Sequence, residues 1–434
     1  MMRQIDLTGS NWSNGPIDRS LLPRGVIDVK SVMPVAEEII QKVRIGGERE
    51  ILEICAQLDG VAPTALRVPK DVIESAFDSA DQKFIEALSE AKKRVELVHR
   101  NQLPQSPVTE VVPGGKVTNQ WIAINRVGLY VPGGRGAYPS SVVMNVVPAL
   151  VAGVGSMMIM SPPSRENNGW PHPSVLAAAH LLGVTEIYSV GGAQAIAMAA
   201  YGIGCDPVDL ITGPGNIYVT AAKRALQGLI GIDSEAGPTE VAILADESGN
   251  AKFIAADLIS QAEHDVIAAS VLVTTSRNLA NAVLAELDQQ VSRTKHQDRI
   301  RQALAGNQSG IVLVDTIEQG LKVVDAYAAE HLEIHTAAPQ EVARRVKNAG
   351  AIFVGPYSPV SLGDYLAGSN HVLPTGGCAC HSSGLGTSTF LKMVTLVEYD
   401  QDALLNAAPL IKSLAETEDL PAHWQAISKR FDDQ

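Results

Sequence analysis

The sequence contains few aromatic residues and few cysteines. Phe, Trp and Tyr account for 4% of its 434 residues, and the four cysteines are Cys55, Cys205, Cys378 and Cys380. Four cysteines are too few for a disulfide scaffold in a chain of this length and are typical of a reducing compartment, so we expect a cytoplasmic protein. Hydrophobic residues make up 46% of the chain and are mostly aliphatic, which favours helices packed on a mostly parallel sheet.

The chain also lacks an excess of positive charge. It carries 34 Lys and Arg against 47 Asp and Glu, which gives a formal net charge of −13. Because there is no basic stripe, neither nucleic acid nor an anionic membrane is an expected partner. The N-terminal stretch MMRQIDLTGSNWSNG lacks the apolar core of a signal peptide.

The uncharged segment Ser141–Met160 resembles a membrane span only in its length. It is interrupted by Asn145, Pro148, Gly153 and Gly155. The segment therefore predicts a buried helix followed by a buried strand, not a transmembrane helix.

The hydrophobic periodicity divides the chain into a helical first part and two α/β series. Residues 1 to about 105 carry apolar residues at helical spacing. Short strands and helices then alternate, from about residue 123 and again after Gly237, which is typical of parallel sheets with crossover helices. We therefore predict an α/β fold with two Rossmann-like parallel-sheet domains, a helical N-terminal segment and an extended C-terminal tail with two short helices.

The predicted domain boundaries follow these changes in pattern. They are 1–128 for the N-terminal segment, expected to pack with the second sheet domain, 129–236 for the first sheet domain, 237–380 for the second and 381–434 for the tail.

Three glycine-containing turns, VPGGRGAYPSS, VGGAQAI and TGPGNIYV, each follow a predicted strand and precede a predicted helix. Glycine lets a ligand approach the backbone, and free N–H groups at a helix N-terminus attract an anion such as a pyrophosphate. None of the three is G-x-G-x-x-G, so the usual dinucleotide fingerprint is missing. A single turn of this kind is ordinary architecture, but three on one edge of one sheet leave a ligand site open.

The helix that ends in SQAEHD carries polar residues along its apolar stripe. Asn250 is its predicted N-cap, and Gln261 and His264 continue the stripe that Ile254 and Leu258 begin. Two such side chains, three residues apart, can converge on one ligand or metal. The alternative is a helix end at which His264 complements the helix dipole.

The segment AYAAEHLEIH places Glu330 and His331 where a predicted helix, capped by Asp315, gives way to a strand. Adjacent Glu and His side chains at such a junction suit proton transfer, because imidazole titrates near neutrality. A solvent-facing pair at a helix C-terminus is the alternative interpretation.

The stretch GSNHVLPTGGCACHSSGLG combines two cysteines and two histidines with glycines. A Cys-x-Cys-His run suggests zinc, but one residue separates Cys378 from Cys380 where two to four are usual, and no second cysteine pair exists. A structural zinc site would also need His371 or His381. The cysteines are therefore poor candidates for metal ligands.

Near the C-terminus, ETEDLPAHW places Glu418 and His423 on either side of Pro421, which by itself predicts a solvated helix end. The remaining histidines belong to no recognisable constellation, and we interpret them as structural or solvated: His99, His172, His180, His296 and His335.

Together, eight segments closely resemble the histidinol dehydrogenase family, in one order and over roughly residues 20 to 430. In chain order they are VGLYVPGG, YPSSVVMNVVPA, VGGAQAIA, TGPGNIYVTAAKR, AGPTEVAILAD, DLISQAEHD, AEHLEI and SLGDYLAGSNHVLPT.

The resemblance implies the last step of histidine biosynthesis, the oxidation of L-histidinol to L-histidine through L-histidinal with two NAD+. It also implies one zinc per subunit and a homodimer with shared active sites, in which the 381–434 tail is swapped. The 129–236 domain would bind NAD+, and the 237–380 domain would carry the zinc and the catalytic residues.

The resemblance also implies roles for individual residues. Glu330 and His331 match the catalytic pair: His331 would accept the alcohol proton as hydride leaves, and Glu330 would activate water to hydrate the aldehyde. The matching zinc ligands are Gln261, His264, Asp364 and, from the other subunit, His423. The matching substrate contacts are Thr239, His371 and Glu418, together with His331 and the four zinc ligands. The matching NAD contacts, one at each glycine turn, are Tyr130, Gln194 and Asn216.

The chain departs from the common pattern of the family at four positions. Thr239 stands where many relatives have Ser, which keeps the hydroxyl and adds a methyl group. Asp325 stands where Asn is frequent, and Ala329 where Pro is frequent. Cys380 stands where Arg is common, which removes a positive charge near the substrate loop and puts the exact substrate preference in question.

Two other functions compete with this interpretation. A dehydrogenase of the same fold could act on another amino or sulfonated alcohol, although the presence of both Glu418 and His423 argues against it. A non-catalytic protein could bind zinc through CACH, in which case replacing Cys378 and Cys380 by Ser would remove the metal.

Overall fold

The structure is a computed structural model that describes residues 2–9, 17–25, 28–133, 136–235 and 237–431. Four of the segments named above therefore lie partly outside the described residues. They are MMRQIDLTGSNWSNG at residues 1 and 10–15, VGLYVPGG at Gly134, VPGGRGAYPSS at Gly134 and Arg135, and AGPTEVAILAD at Ala236.

The chain separates into two compact units. The first unit consists of residues 1–102 and 125–390, and the second unit of residues 103–124 and 391–434.

The strands are, in chain order, β1 Arg3–Asp6, β2 Val108–Val112, β3 Gly115–Ala123, β4 Arg126–Tyr130, β5 Ser156–Ser161, β6 Ile187–Ser189, β7 Leu210–Thr212, β8 Gly231–Ile232, β9 Glu240–Ala245, β10 Ala269–Thr274, β11 Gly310–Leu313, β12 His331–His335, β13 Ala351–Val354 and β14 Leu391–Tyr399.

The α-helices are α1 Val29–Leu58, α2 Lys70–Asp78, α3 Gln82–Arg100, α4 Pro139–Ala152, α5 Pro173–Leu181, α6 Gly192–Tyr201, α7 Ile217–Leu226, α8 Ala251–Ala262, α9 Arg277–Val291, α10 Gln297–Ala305, α11 Ile317–Tyr327, α12 Pro339–Ala343, α13 Val360–Tyr365, α14 Gln401–Thr417 and α15 Pro421–Ser428. Short 3-10 helices span Arg19–Leu21, Arg165–Asn167, Cys378–Cys380 and Thr387–Phe390.

The first unit contains two parallel sheets. The first sheet has the strand order β6-β5-β4-β7-β8, and the second has the order β1-β11-β10-β9-β12-β13. In each sheet the first strand of its α/β series, β4 or β9, is central and later strands extend to both sides, which is the doubly wound order. The predicted pair of Rossmann-like sheets is therefore confirmed.

The apolar segment Ser141–Met160 forms the predicted buried helix and strand. Residues 141–149 of α4 are buried, and β5 follows as a strand of the first sheet. In the part of the chain that the structure describes, we find no helix with the length and apolar character needed to cross a membrane.

The N-terminal helices pack mainly on the first sheet domain, which corrects the predicted packing with residues 237–380. Helix α1 contacts α6 and α7, α2 contacts α5, and α3 contacts α4. The apolar stripe of α1, which includes Ile40, Val43 and Ile54, joins the same core as Met158 and Ile196. Strand β1 does join the second sheet, where it pairs with β11.

The second unit contains an antiparallel sheet of order β14-β3-β2, followed along the chain by α14 and α15. Strand β14 pairs with β3 along its whole length, from Leu391 opposite Ala123 to Tyr399 opposite Gly115. We predicted the two helices of the tail but none of these three strands.

Candidate active site

A cleft of about 940 Å³ lies along the carboxyl edge of the first sheet. Strand β4 ends at this edge, and α6 and α7 begin there. Tyr130, Gln194 and Asn216 all line the cleft, so the structure brings together the three residues that we predicted to contact NAD.

Each of these three side chains is held in place by its surroundings. Asn216 caps α7 and accepts hydrogen bonds from the N–H groups of Tyr218 and Val219, at 3.0 and 3.1 Å. The Tyr130 hydroxyl accepts the Gly192 N–H at 3.0 Å. Gln194 is 1% exposed, and its Oε1 has no hydrogen-bond partner among the described residues, so a donor group of a ligand could satisfy it.

The turn before Asn216 is fixed by a buried ion pair. Gly213 has a φ of +110°, and an added Cβ would lie 2.0 Å from the carbonyl oxygen of Tyr130, so only glycine fits. The Gly213 N–H donates to Asp233 Oδ2 at 2.7 Å, and Lys223 Nζ donates to the Gly213 carbonyl at 3.0 Å. Lys223 and Asp233 also pair with each other, and both side chains are buried. We call this group the Gly213 clamp.

The predicted catalytic residues lie at the amino edge of the second sheet, whereas the cleft lies at the carboxyl edge of the first. His331 is the first residue of β12, Glu330 precedes it, and Glu240 is the first residue of the neighbouring strand β9. A crossover helix runs antiparallel to its strands, so the carboxyl end of α8 returns to this edge with Gln261 and His264. The carboxyl edge of this sheet, where β9, β10 and β12 end, carries none of the predicted site residues.

A chain of hydrogen bonds connects α8 to Glu330. Gln261 Nε2 donates to Thr239 Oγ1 at 2.7 Å, and Thr239 Oγ1 donates to Glu330 Oε2 at 2.6 Å. The Glu240 N–H donates to the same Glu330 oxygen at 2.9 Å. Because the Thr239 hydroxyl hydrogen is used by Glu330, its oxygen must accept, and this fixes which end of the Gln261 amide points toward it.

The Gln261 amide oxygen is therefore directed away from Thr239. Gln261 is 2% exposed, and no hydrogen bond to its Oε1 exists within the described residues. A buried amide oxygen without a donor is costly unless something else satisfies it. A metal ion would do so, and the orphaned oxygen therefore fits the implied zinc ligand.

Three histidines of the site share one tautomer. His264 Nδ1 lies 3.2 Å from the Ser260 carbonyl, His331 Nδ1 3.2 Å from the Glu240 carbonyl, and His371 Nδ1 3.0 Å from the Asp364 carbonyl. A carbonyl oxygen can only accept, so each Nδ1 carries the hydrogen and each Nε2 keeps its lone pair. His264 can thus bind a metal and His331 can accept a proton, both through Nε2.

Burial is the main influence on the pKa values of Glu330 and His331. Burial raises the pKa of Glu330 to about 7, although the hydrogen bonds from Thr239 and the Glu240 N–H oppose the rise. Burial lowers the pKa of His331, opposed by the charge of Asp364. The His331 ring is therefore neutral at neutral pH, which is the form that can act as a base.

Asp364 and His371 belong to the same cluster. His371 Nδ1 donates to the Asp364 carbonyl at 3.0 Å, and the Asp364 charge raises the pKa values of Glu330, His331 and His371 against or alongside the effect of burial. His371 Nε2 also lies 3.2 Å from Ser141 Oγ, on the first turn of α4. That contact connects the catalytic cluster to the helix that follows β4 in the first sheet.

The other two predicted site residues, Glu418 and His423, belong to the second unit. Glu418 follows the last residue of α14, His423 lies on α15, and both side chains are exposed.

The cysteines of CACH form no metal site in the described structure. Cys378 and Cys380 are free thiols on a short 3-10 helix. Among the described residues, the one close group of three His, Cys, Asp or Glu side chains lies elsewhere and consists of Asp257, Glu333 and His335. That group shares no residue with the implied zinc ligands.

Comparisons with known proteins decide the family. The family model described as histidinol dehydrogenase matches residues 22–431. The histidinol dehydrogenase of Thermobifida fusca (strain YX) is 58% identical, over 99% of this chain and 98% of its own. That of Corynebacterium efficiens is 53% identical, over 100% of this chain and 96% of its own. The crystal structure of histidinol dehydrogenase from Elizabethkingia anophelis is 31% identical and superposes with a TM-score of 0.92, covering 100% of this chain and 98% of that one.

The chain belongs to the histidinol dehydrogenase family. Histidinol dehydrogenases are oxidoreductases that act on a CH–OH group, and the chain is therefore an oxidoreductase of histidine biosynthesis. The resemblance seen in the eight sequence segments is confirmed over almost the whole chain.

The structure accounts for three of the four departures from the pattern expected of histidinol dehydrogenases. Thr239 donates and accepts through its hydroxyl, as Ser could. Asp325 Oδ1 accepts the N–H groups of Lys347 and Asn348, which an Asn oxygen could also do. Ala329 is buried against apolar neighbours, where a small side chain fits. Cys380 is exposed, and nothing in the structure explains this substitution.

Sequence reasoning missed two groups in this histidinol dehydrogenase site. Glu240 orients both predicted catalytic residues through its backbone, and no side-chain pattern reports a backbone role. The group of Asp257, Glu333 and His335 did leave a signal, because the alternating polar residues of HLEIH mark one face of a buried strand. The predicted N-cap Asn250 is confirmed, whereas α11 is capped by Thr316 and not by Asp315.

Proposed function

We propose that the chain is a zinc-dependent enzyme that oxidises L-histidinol through L-histidinal to L-histidine with two NAD+, the last step of L-histidine biosynthesis. One observation carries the proposal: the orphaned Gln261 Oε1 lies at one end of a hydrogen-bond chain whose other end is the Glu330 carboxylate. A metal ligand and a catalytic base are thereby held in one rigid arrangement.

Gln261, His264 and Asp364 would hold the zinc, and His423 of the other subunit would complete the set. An amide oxygen, an imidazole and a carboxylate are hard or borderline donors that zinc accepts. When bound, the metal would act as a Lewis acid and as a template for the amino and imidazole groups of the substrate. The hydrogen bond from His264 Nδ1 to the Ser260 carbonyl already directs Nε2 as the ligand atom.

His331 would take the proton of the substrate hydroxyl at Nε2 while hydride passes to NAD+. Its Nδ1 hydrogen bond to the Glu240 carbonyl orients the ring and leaves the lone pair of the neutral ring on Nε2. Once it has released that proton to solvent, the same ring would accept a hydroxyl proton of the hydrated aldehyde in the second oxidation.

Glu330 would remove a proton from the water that hydrates the aldehyde. Its Oε2 accepts two hydrogen bonds, from Thr239 Oγ1 and the Glu240 N–H, which stabilise the carboxylate and hold it still. Thr239, His371 and Glu418 would contact the substrate.

NAD+ would bind in the cleft of the first sheet, at Tyr130, Gln194 and Asn216. Helices α6 and α7 begin at this cleft, and their N-termini would offer N–H groups to the pyrophosphate. The contact between Ser141 and His371 joins α4, the helix that follows β4, to the proposed catalytic cluster.

The active chain would be a homodimer in which residues 381–434 are swapped between subunits. The second unit exposes large apolar side chains on α14, with Leu405, Leu410 and Leu414 all more than half exposed. Apolar exposure of this extent is typical of a surface that another chain covers. His423 and Glu418 follow the same helix and would complete the partner's site.

The proposal is tested by the stoichiometry of purified protein with zinc and NAD+. We expect two NADH for each L-histidinol, no turnover by His331→Ala in either half-reaction, and a Glu330→Gln variant that is slowed mainly in the oxidation of L-histidinal. Absence of NADH formation by the wild-type chain would overturn the proposal. Equal losses in both half-reactions for Glu330→Gln would overturn the division of roles.

Bound zinc and a substrate panel separate the competing functions. We expect His264→Ala to lose zinc and the double variant Cys378→Ser/Cys380→Ser to retain it. Loss of zinc from the cysteine variant would favour the non-catalytic alternative. Faster turnover of another amino alcohol than of L-histidinol would favour a different dehydrogenase.

A further inference from the structure

A buried polar cluster lies behind the catalytic edge of the second sheet. Glu333 on β12 is 0% exposed, and its Oε2 lies 3.2 Å from His335 Nε2. Its other oxygen, Oε1, accepts the Val360 N–H at 2.9 Å, and Asp257 on α8 hydrogen-bonds to the same carboxylate. Ligand atoms of Asp257, Glu333 and His335 all lie within 4.8 Å of one another.

Each element that contributes to this cluster also carries a residue of the proposed active site, two or four residues away along the chain. Asp257 precedes Gln261 by four residues on α8, which is about one helical turn. Val360 precedes Asp364 by four residues on α13, and Glu333 follows His331 by two on the same face of β12. One carboxylate therefore contacts the three elements of the first unit that carry or precede Gln261, His264, Asp364 and the proposed catalytic histidine; only the fourth proposed ligand, His423, lies elsewhere.

We propose that Glu333 is a positioning residue that, with Asp257 and His335, fixes α8, β12 and α13 relative to one another and so sets the geometry of the zinc and proton-transfer site. The proposal rests on the proposed function, because it concerns the same site.

The surroundings of Glu333 show why apolar packing alone would fix the relative positions of α8, β12 and α13 less well. The neighbouring apolar side chains on the same side of the sheet, including Val241 and Ile243, form a continuous core with α8. Apolar contacts are non-directional and allow small sliding, whereas a fully satisfied buried polar network specifies one arrangement. A buried carboxylate is costly, so its presence in this core needs all of its partners.

Helix α13 depends on this cluster at its first turn. Pro359 occupies its N-cap position and provides no side-chain hydrogen bond, so the Val360 N–H has Glu333 as its acceptor. The helix is only six residues long and gains little stability of its own. The position of Asp364 therefore depends on Glu333, which lies on the same strand as His331.

Asp257 supplies the donor that the cluster requires. Burial and the neighbouring Glu333 raise the pKa of Asp257, so its carboxyl keeps a proton and can donate it to Glu333. An Asn side chain has a similar shape and also donates, so Asp257→Asn should preserve the connection that Asp257→Ala removes.

The experiment compares zinc affinity and turnover in Asp257→Ala, Asp257→Asn, Glu333→Ala and a control. The control is Ser309→Ala, because Ser309 is also buried and hydrogen-bonded, to Ala303 and Ser270, but joins elements without proposed site residues. Zinc affinity is measured by competition with a chromophoric chelator, and melting temperatures identify variants of equal stability. We expect Asp257→Ala to weaken zinc binding by about tenfold and to lower kcat more than KM, since disturbed supporting contacts typically cost about 10- to 100-fold.

We expect Asp257→Asn to restore what Asp257→Ala removes. Its zinc affinity should stay within about threefold of wild type, which is much less than the loss seen when supporting contacts are removed. Glu333→Ala should show the largest loss, and if it does not fold, Asp257→Ala still decides. The proposal is overturned if Asp257→Ala and Ser309→Ala have the same zinc affinity and the same kcat at equal melting temperature. It is also overturned if wild type binds a second zinc that Glu333→Ala loses, because the cluster would then be a metal site. Failure of the wild-type chain to bind zinc or oxidise L-histidinol would instead count against the proposed function.

Discussion

At the scale of single residues, Thr239 has a larger role than its position outside the catalytic pair suggests. Its hydroxyl accepts from Gln261 and donates to Glu330, so it joins a proposed metal ligand to the proposed base. The spacing of the sequence predicted Gln261 with His264 and Glu330 with His331 as pairs. The family resemblance named Thr239 only as a substrate contact. Its link between Gln261 and Glu330 could not be predicted, because it becomes visible only when the fold places both partners beside the hydroxyl.

Thr239→Val should reduce kcat by about 10- to 100-fold, because a hydrogen bond to a charged group contributes about 1.5–3 kcal/mol. The matched control, Thr239→Ser, keeps the hydroxyl and should remain close to wild type. Steady-state kinetics with saturating zinc measures both. Similar kcat values for the two variants would show that the hydroxyl does not support Glu330.

At the scale of elements, the two parallel sheets could be predicted because each strand and crossover helix leaves a local pattern. The antiparallel sheet of the second unit could not be predicted from the sequence. Its strand β14 is exposed along almost its whole length, so it lacks the alternation that marks a half-buried strand. Its partner β3 lies far away in the sequence, and such a pairing leaves no local signal. The Gly213 clamp was missed for the same reason, since Lys223 and Asp233 look like ordinary surface charges in the sequence.

Breaking the Gly213 clamp should destabilise the first sheet. Lys223→Met leaves Asp233 buried without its cation, which costs about 3–5 kcal/mol. Arg277→Met is the matched control, because the Arg277–Asp6 pair is about half exposed and should contribute less than about 1 kcal/mol. Urea unfolding measures both, and binding of NAD+ should weaken only in Lys223→Met. Equal effects of the two substitutions would contradict the role of the clamp.

The buried cluster behind the catalytic edge should make stability depend on pH. Burial and Glu333 raise the pKa of Asp257 to about 8, whereas in an unfolded chain it is about 3.9. The folded state therefore holds this proton more tightly, and its contribution is lost as pH rises toward and through about 8. The free energy of unfolding of wild type should fall relative to that of Asp257→Asn between pH 6 and pH 8.5. Parallel curves for the two proteins, each measured with saturating zinc, would show that Asp257 holds no such proton.

At the scale of the whole molecule, the sequence predicted the family and the structure added the separation into two units. Nine of the predicted site residues besides the NAD contacts were expected to act together, and seven of them lie in the first unit. Glu418 and His423 lie in the second unit, whose apolar helix α14 is exposed. The dimer that would unite them stays a prediction, because the structure contains one chain.

Mixing two inactive variants tests the shared site. In a heterodimer of His264→Ala and His423→Ala subunits, one site keeps His264 and receives an intact His423, while the other loses both. Random reassociation should therefore restore about one quarter of the wild-type activity, as expected for a symmetric dimer. No activity in heterodimers whose formation has been verified would show that His423 acts within its own chain.

The proposed cofactor site lies at the carboxyl edge of the first sheet and the proposed catalytic residues lie at the amino edge of the second, so the carboxyl edge of the second sheet is available for attaching labels. The loops that follow β9 and β10 lie at the far end of strands of six residues, about 20 Å from the amino edge. Glu247 and Ser248 in the first of these loops are exposed. A fluorescent reporter or a surface tether attached there would lie at the edge of the second sheet that is opposite the proposed catalytic residues.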